Sequence, residues 1–219
     1  MRTVVFDLDG TLADTSGDLI AAANACFRGL GHGDMLDAGT DQGTALRGGR
    51  AMLRLGFQRL GLGEDHIDAQ YPLLLEHYRD AIAHHTVMYP GAVEAVDQLR
   101  IDGYKVAICT NKPEGLAELL MAELGVRHMF DALLGADSLP VRKPDPLHYV
   151  ETVARAGGAL DRSLLVGDTA TDRNTAKAAQ VPCILVTFGP GDDAVRDLAP
   201  EAFLSAYSDL SGVVAELIG

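Results

Sequence analysis

Lysine is scarce in this 219-residue chain: Lys105, Lys112, Lys143 and Lys177 are all it has. The other basic residues are arginines, and 31 acidic residues against 18 basic ones give a formal net charge of −13. A surface that acidic repels nucleic-acid phosphates at long range, so no nucleic-acid partner is expected. Anionic substrates stay open, provided their site concentrates its few cations locally. Cysteine is also rare. Cys26, Cys109 and Cys183 lie far apart and form no CxxC pair, which speaks against a thiolate metal site and a disulfide framework. Cys109 in "VAIC" and Cys183 in "PCILV" read as small buried apolar side chains. No apolar run is long enough to cross a bilayer. The first residues enter a strand pattern with no signal-peptide apolar region. No membrane partner and a cytoplasmic location are the expectation. There is no internal repeat and no low-complexity segment.

Short apolar runs punctuate the rest. Residues 3–9, 105–110, 131–136, 163–168 and 183–188 read as strands of the continuously apolar kind that a parallel sheet covers on both faces, with a weaker run at 202–206. Helical patterns alternate with them at 91–103, 114–126, 146–158, 170–179 and 207–218. Such alternation predicts an α/β, doubly wound parallel sheet. Residues 14–87 break it. They hold no convincing strand and read as helices over 16–31, 43–61 and 64–85, separated by glycine-containing turns. The expectation is a core of residues 1–13 and 88–219, with a helical domain, 14–87, inserted after the first strand. Open α/β sheets bind ligands at the carboxyl ends of their strands, which is where that insertion begins.

The strand ends carry the chemistry. Asp7 and Asp9 interrupt the apolar "VVFDLDGT" run. Read as strand residues two apart, they share a face and repel, so something positive must lie beside them. The second core strand ends in Thr110 and Asn111, Lys143 precedes a helix in "VRKPDP", and the strand at 163–168 ends in Asp168 with Asp172 four residues on. Alone, each has an ordinary reading: Asp168 as a helix cap, Asp172 as a solvated first-turn acid, Thr110 bonded to backbone, Lys143 on the surface. Together at one sheet edge, the carboxylates call for a hard divalent cation, and such oxygen ligands suit Mg²⁺.

The segments "DLDGTL", "ICTNKP", "RKPDP" and "GDTATD", in this order, resemble the signature motifs of the haloacid dehalogenase (HAD) superfamily of phosphohydrolases. The resemblance covers essentially the whole chain. It implies a Rossmann-like core with a helical C1-type cap at 14–87. It also implies roles: Asp7 as nucleophile forming an aspartyl phosphate, and Asp9 as general acid and then base. Mg²⁺ would be held by Asp7, Asp9 through its backbone carbonyl, Asp168 and Asp172. Thr110 and Asn111 would hold phosphate oxygens, and Lys143 would add positive charge beside Asp7.

The cap is expected to choose the ester. Arg47, Arg50 and Arg54 fall at spacings of three and four, so on one continuous helix they share a face. One of them, Arg47 or Arg50 by preference, is expected to reach the active site and read a carboxylate. Phosphoglycolate phosphatases resemble this chain in cap size and in "TNKP", which makes phosphoglycolate the expected substrate. Among relatives, haloacid dehalogenases lack the second aspartate, present here as Asp9. Phosphonoacetaldehyde hydrolase needs a cap lysine, and residues 14–87 contain none. A β-phosphoglucomutase-like phosphotransferase keeps both aspartates and remains the alternative, although Thr11 and the absent cap lysine favour hydrolysis. A silent HAD-like binding module usually loses a motif residue, and none is missing. A homodimer formed through the cap stays open. His84 and His85 read as a solvated pair, "FGPGDD" (188–193) as a turn into a helix, and Lys112 as a flank of its loop or a substrate contact.

Overall fold

The apolar runs become strands of one sheet. A computed structural model of the chain describes residues 1–190 and 195–219, so "FGPGDD" lies outside the described residues from Gly191 onward. Strands β1 (Thr3–Phe6), β4 (Lys105–Cys109), β5 (Ala132–Leu134), β6 (Ser163–Gly167), β7 (Cys183–Val186) and β8 (Ala202–Leu204) form a six-stranded sheet in the order β5-β4-β1-β6-β7-β8. Each neighbouring pair of strands in it is parallel. Strands β2 (Ala13–Asp14) and β3 (Val87–Met88) pair separately.

Two compact units divide the chain: Met1–Ala13 with Met88–Gly219, and Asp14–Val87. In the first, the sheet is interleaved with helices α5 (Ala92–Ile101), α6 (Glu114–Glu123), α7 (Pro146–Arg155), α8 (Ala170–Ala179) and α9 (Leu210–Ile218). Val5, Ala107, Cys109, Leu165, Cys183 and Leu185 from the strands pack with Tyr149 and Val153 of α7 and Ala176 of α8. Burial of these side chains is the main stabilising contribution. The cysteines are free and buried, and burial pushes the Cys109 thiol up to about 12, far from a reactive thiolate. Helix α7 starts where Pro146 fits the first turn and the Asp145 carboxylate accepts from Leu147 N–H at 2.9 Å.

The second unit holds α1 (Ser16–Gly29), α2 (Gln42–Ala45), α3 (Gly49–Arg59) and α4 (Ile67–Asp80). Phe27 of α1 meets Phe57 of α3 edge-on, with ring centroids 5.2 Å apart. Buried Asp18 accepts from the His85 and Thr86 amides and from the Thr86 hydroxyl at 2.7–2.9 Å, tying α1 to the segment after α4.

Three sequence-based expectations shift. The strand drawn over 3–9 ends at Phe6, because the amides of Thr11, Leu12 and Ala13 converge on the Leu8 carbonyl and turn the chain. The helix drawn over 43–61 is two helices, because Gly48 adopts φ 92° between them, a conformation glycine tolerates and other residues resist. The helix drawn over 64–85 runs only from Ile67 to Asp80.

Candidate active site

Registry of the sheet assembles the site. Phe6 pairs with Ile108 on one side and Val166 on the other, so the residues after each strand emerge at one carboxyl edge. Asp7 continues the ladder by one bond, its N–H donating to Val166 O at 2.9 Å. Its Oδ1 accepts from Leu8 N–H at 2.7 Å. Asp168 leaves the neighbouring strand, and the Thr11 hydroxyl donates to its Oδ1 at 3.0 Å. The Thr11 carbonyl in turn accepts from the Tyr207 hydroxyl at 2.7 Å.

Asp172 is fully buried. It is not the solvated acid of the ordinary reading. Its Oδ2 accepts from Thr169 N–H and Oγ1 at 3.1 and 2.6 Å, closing a capping box at the start of α8. Its Oδ1 accepts from Lys143 Nζ at 2.7 Å, and the same ammonium lies 3.0 Å from Asp7 Oδ1. Gly167 permits this crowding, since a Cβ there would fall 2.4 Å from Asp172 Cβ. Lys143 is therefore not a surface lysine: its side chain is 1% exposed.

One oxygen each from Asp7, Asp168 and Asp172 lies within 4.8 Å of the others. The cluster is short of positive charge. Burial pushes the Asp7 carboxyl up to about 6; Lys143 pulls it down, while Asp172 and Asp9 add repulsion. Burial, then Asp172 and Asp7, raise Asp168 well above the ordinary range. Burial pulls the Lys143 ammonium down, but Asp172 and Asp7 more than offset that and hold it above the usual lysine range. Buried oxygen donors with more negative charge than one ammonium compensates fit a hard divalent cation.

Asp9 stands apart from that cluster. Its Oδ1 accepts from Lys112 Nζ at 2.8 Å, with side chains 17% and 4% exposed. Thr110, at the end of β4, accepts from Lys112 N–H at 3.1 Å, and the Asn111 amide donates to Lys143 O at 2.9 Å, fastening two motif loops together. In the second unit, the break at Gly48 takes Arg47 off the helix that carries Arg50 and Arg54, so the three do not share one helical face. Arg50 is paired with Asp68 at 2.6 Å and lies over the Tyr71 ring, while Arg54 binds Glu64 at 2.8 Å. Arg47 sits exposed in the turn. The exposed His84 and His85 side chains keep their solvated reading.

The model of the haloacid dehalogenase-like hydrolase family matches residues 4–186. The chain belongs to the haloacid dehalogenase-like hydrolases. A phosphoglycolate phosphatase of Mesorhizobium japonicum is 40% identical over 215 residues, covering 97% of this chain and 94% of that protein. One of Agrobacterium fabrum is 36% identical, covering 97% and 91%. A crystal structure from Haemophilus somnus, described as a predicted phosphoglycolate phosphatase, superposes with a TM-score of 0.85 at 22% identity, covering 97% of each chain. That last likeness speaks to the HAD fold alone.

Two parts of this HAD site escaped the sequence reading. Thr11 entered it only as a contrast with mutases, whereas its hydroxyl supports Asp168. Lys112 reads from the sequence as a flank of its loop or a substrate contact, and its pairing with Asp9 is what the sequence did not show. Its signal was its rarity: a chain with four lysines places two at this sheet edge. No sequence pattern pointed to Tyr207.

Proposed function

We propose that this HAD-like hydrolase cleaves small phosphomonoesters through a phosphorylated Asp7, with phosphoglycolate as the substrate. The observation that supports this most is the meeting of Asp7, Asp168 and Asp172 within 4.8 Å, with the Lys143 ammonium against Asp7. The full-length relatives named for phosphoglycolate favour that ester.

In the first half-reaction, an Asp7 oxygen attacks phosphorus as the ester P–O bond breaks, and Asp9 donates its proton to the departing alkoxide oxygen. In the second, Asp9 takes a proton from water as that water attacks phosphorus, freeing phosphate and restoring Asp7. One group serves twice because the two steps need opposite proton transfers. Lys143 keeps positive charge on the Asp7 side of the transferring group, where burial makes it count most. Thr110 and Asn111 hold phosphate oxygens. Asp7, Asp168 and the Asp9 carbonyl would hold Mg²⁺, with Asp172 as a ligand or as their support through Lys143 and Thr169. The ion would offset the repulsion between carboxylates and phosphate.

The test is phosphate release from phosphoglycolate, ethyl phosphate and p-nitrophenyl phosphate, with Mg²⁺ and after chelation. Phosphoglycolate is expected to be hydrolysed fastest, with activity lost on chelation and restored by Mg²⁺. Conversion of β-glucose 1-phosphate to glucose 6-phosphate in the presence of a bisphosphate primer would instead favour the mutase.

The carboxyl shifts set a pH dependence. Asp7 and Asp168 titrate higher in the folded metal-free protein than in the unfolded chain. Such groups contribute stability below their unfolded values that is lost as pH rises through the folded ones. The metal-free protein is therefore expected to lose stability from about pH 4 to above pH 6 on their account. A cation bound there restores it. Saturating Mg²⁺ is expected to raise Tm by several degrees at pH 7.5 and by much less at pH 5, measured by scanning calorimetry. An equal rise at both pH values would contradict the site.

A further inference from the structure

The ion pair between Lys112 and Asp9 poses a problem for the reaction. Asp9 has to reach the ester oxygen, yet its carboxylate is held at 2.8 Å by an ammonium that is itself nearly buried. Breaking a nearly buried ion pair is costly, so an incoming anion that takes the place of Asp9 at the ammonium favours its release. Building on the phosphoglycolate reading above, we propose that Lys112 is the specificity residue of this site. Its ammonium exchanges Asp9 for the carboxylate of the substrate's leaving group.

The geometry carries the assignment. The Lys112 backbone is fixed from both ends, its N–H donating to Thr110 Oγ1 at 3.1 Å and its carbonyl accepting from Ala136 N–H at 2.9 Å. The side chain is thus anchored beside the proposed phosphate-holding residue while its tip meets the proton donor. In a phosphorylated 2-hydroxy acid, a single carbon separates the ester oxygen from the carboxyl group. A substrate whose ester oxygen is served by Asp9 therefore brings its carboxylate close to whatever Asp9 touches. Several other cations of this unit are engaged elsewhere: Lys143 with Asp7 and Asp172, Lys105 with Asp131 at the start of β4, Arg127 with Glu118, and Arg173 with Glu201. In the second unit, Arg50 is held by Asp68. On this proposal the carboxylate-reading role expected of Arg47 or Arg50 falls to Lys112. An ester ending in a methyl group offers the ammonium no replacement charge and leaves Asp9 tied.

The test compares two unreactive phosphonates as competitive inhibitors of p-nitrophenyl phosphate hydrolysis. 3-Phosphonopropionate keeps the carboxylate; propylphosphonate carries a methyl group in its place. The wild-type protein is expected to bind the former about 10- to 100-fold more tightly, the range of a charge-assisted hydrogen bond. In Lys112→Met that preference is expected to fall to within about threefold of unity, with Lys112→Arg keeping an intermediate preference. Because each variant supplies its own ratio, a general loss of activity does not mask the result. A Lys112→Met preference equal to the wild-type one would overturn the assignment while leaving phosphoglycolate as substrate. A wild-type protein without preference between the phosphonates, and without preference for phosphoglycolate over ethyl phosphate, would overturn the substrate reading and this assignment with it.

Discussion

Asp7→Asn is expected to lower kcat by at least about 10⁴-fold, the scale of loss when a nucleophile is removed. An amide oxygen carries no full negative charge and cannot form the acyl phosphate, while the side chain keeps its shape. The fold should survive. Burial already disfavours the charged form of Asp7, whose carboxyl is raised to about 6. Replacing it by a neutral amide at pH 7.5 removes repulsion with Asp172 and Asp9, although it also gives up the Lys143 contact at 3.0 Å. In the absence of metal, the variant should melt within a few degrees of the wild type. Phosphate release and a thermal melt on the same preparation measure both. Normal turnover would remove Asp7 from its role, whatever the melt shows.

Lys143→Met is expected to damage both activity and stability. The ammonium bridges Asp7 and Asp172, and its side chain is 1% exposed. Methionine keeps the length and loses the charge, leaving two carboxylates facing each other in a buried site. Removing one partner of a buried ion pair costs roughly 3–5 kcal/mol. The carboxylates escape part of that by taking up a proton, so the destabilisation should grow as pH rises from 5 to 8 and shrink when Mg²⁺ is added. Loss of one preorganised charge at the transferring group should cost about 10²- to 10³-fold in kcat. A variant with near-normal kcat, or one whose stability deficit is independent of pH, would show that Lys143 does not compensate these carboxylates.

Much of the fold was legible because its signals are local. The parallel strands announce themselves as unbroken apolar runs, and Val4, Val5 and Phe6 are completely buried. Alternation with helices then dictates the sheet, and the strand ends dictate where Asp7, Thr110 and Asp168 gather. What stayed hidden depends on backbone conformation or on distant partners. The GG pair at Gly48 and Gly49 sits within a helical pattern, and only the φ of 92° at Gly48 shows that it divides the helix. Asp172 looks like any first-turn acid until the capping box and Lys143 are seen to occupy both of its oxygens. The pairing of Lys112 with Asp9 spans 103 positions, and no periodicity reports on contacts that remote. Tyr207 is further still from the Thr11 carbonyl it binds.

The central claim is that phosphate passes through Asp7, and rapid quenching during turnover tests it most directly. Phosphoglycolate carrying labelled phosphorus would be mixed with the Mg²⁺-loaded protein, stopped in acid within a turnover, and the chain digested and mapped. Label is expected on the peptide containing Asp7, removable by hydroxylamine as an acyl phosphate is, and none in Asp7→Asn. Label on any other residue, or full-rate phosphate release with no labelled chain at any quench time, would contradict it.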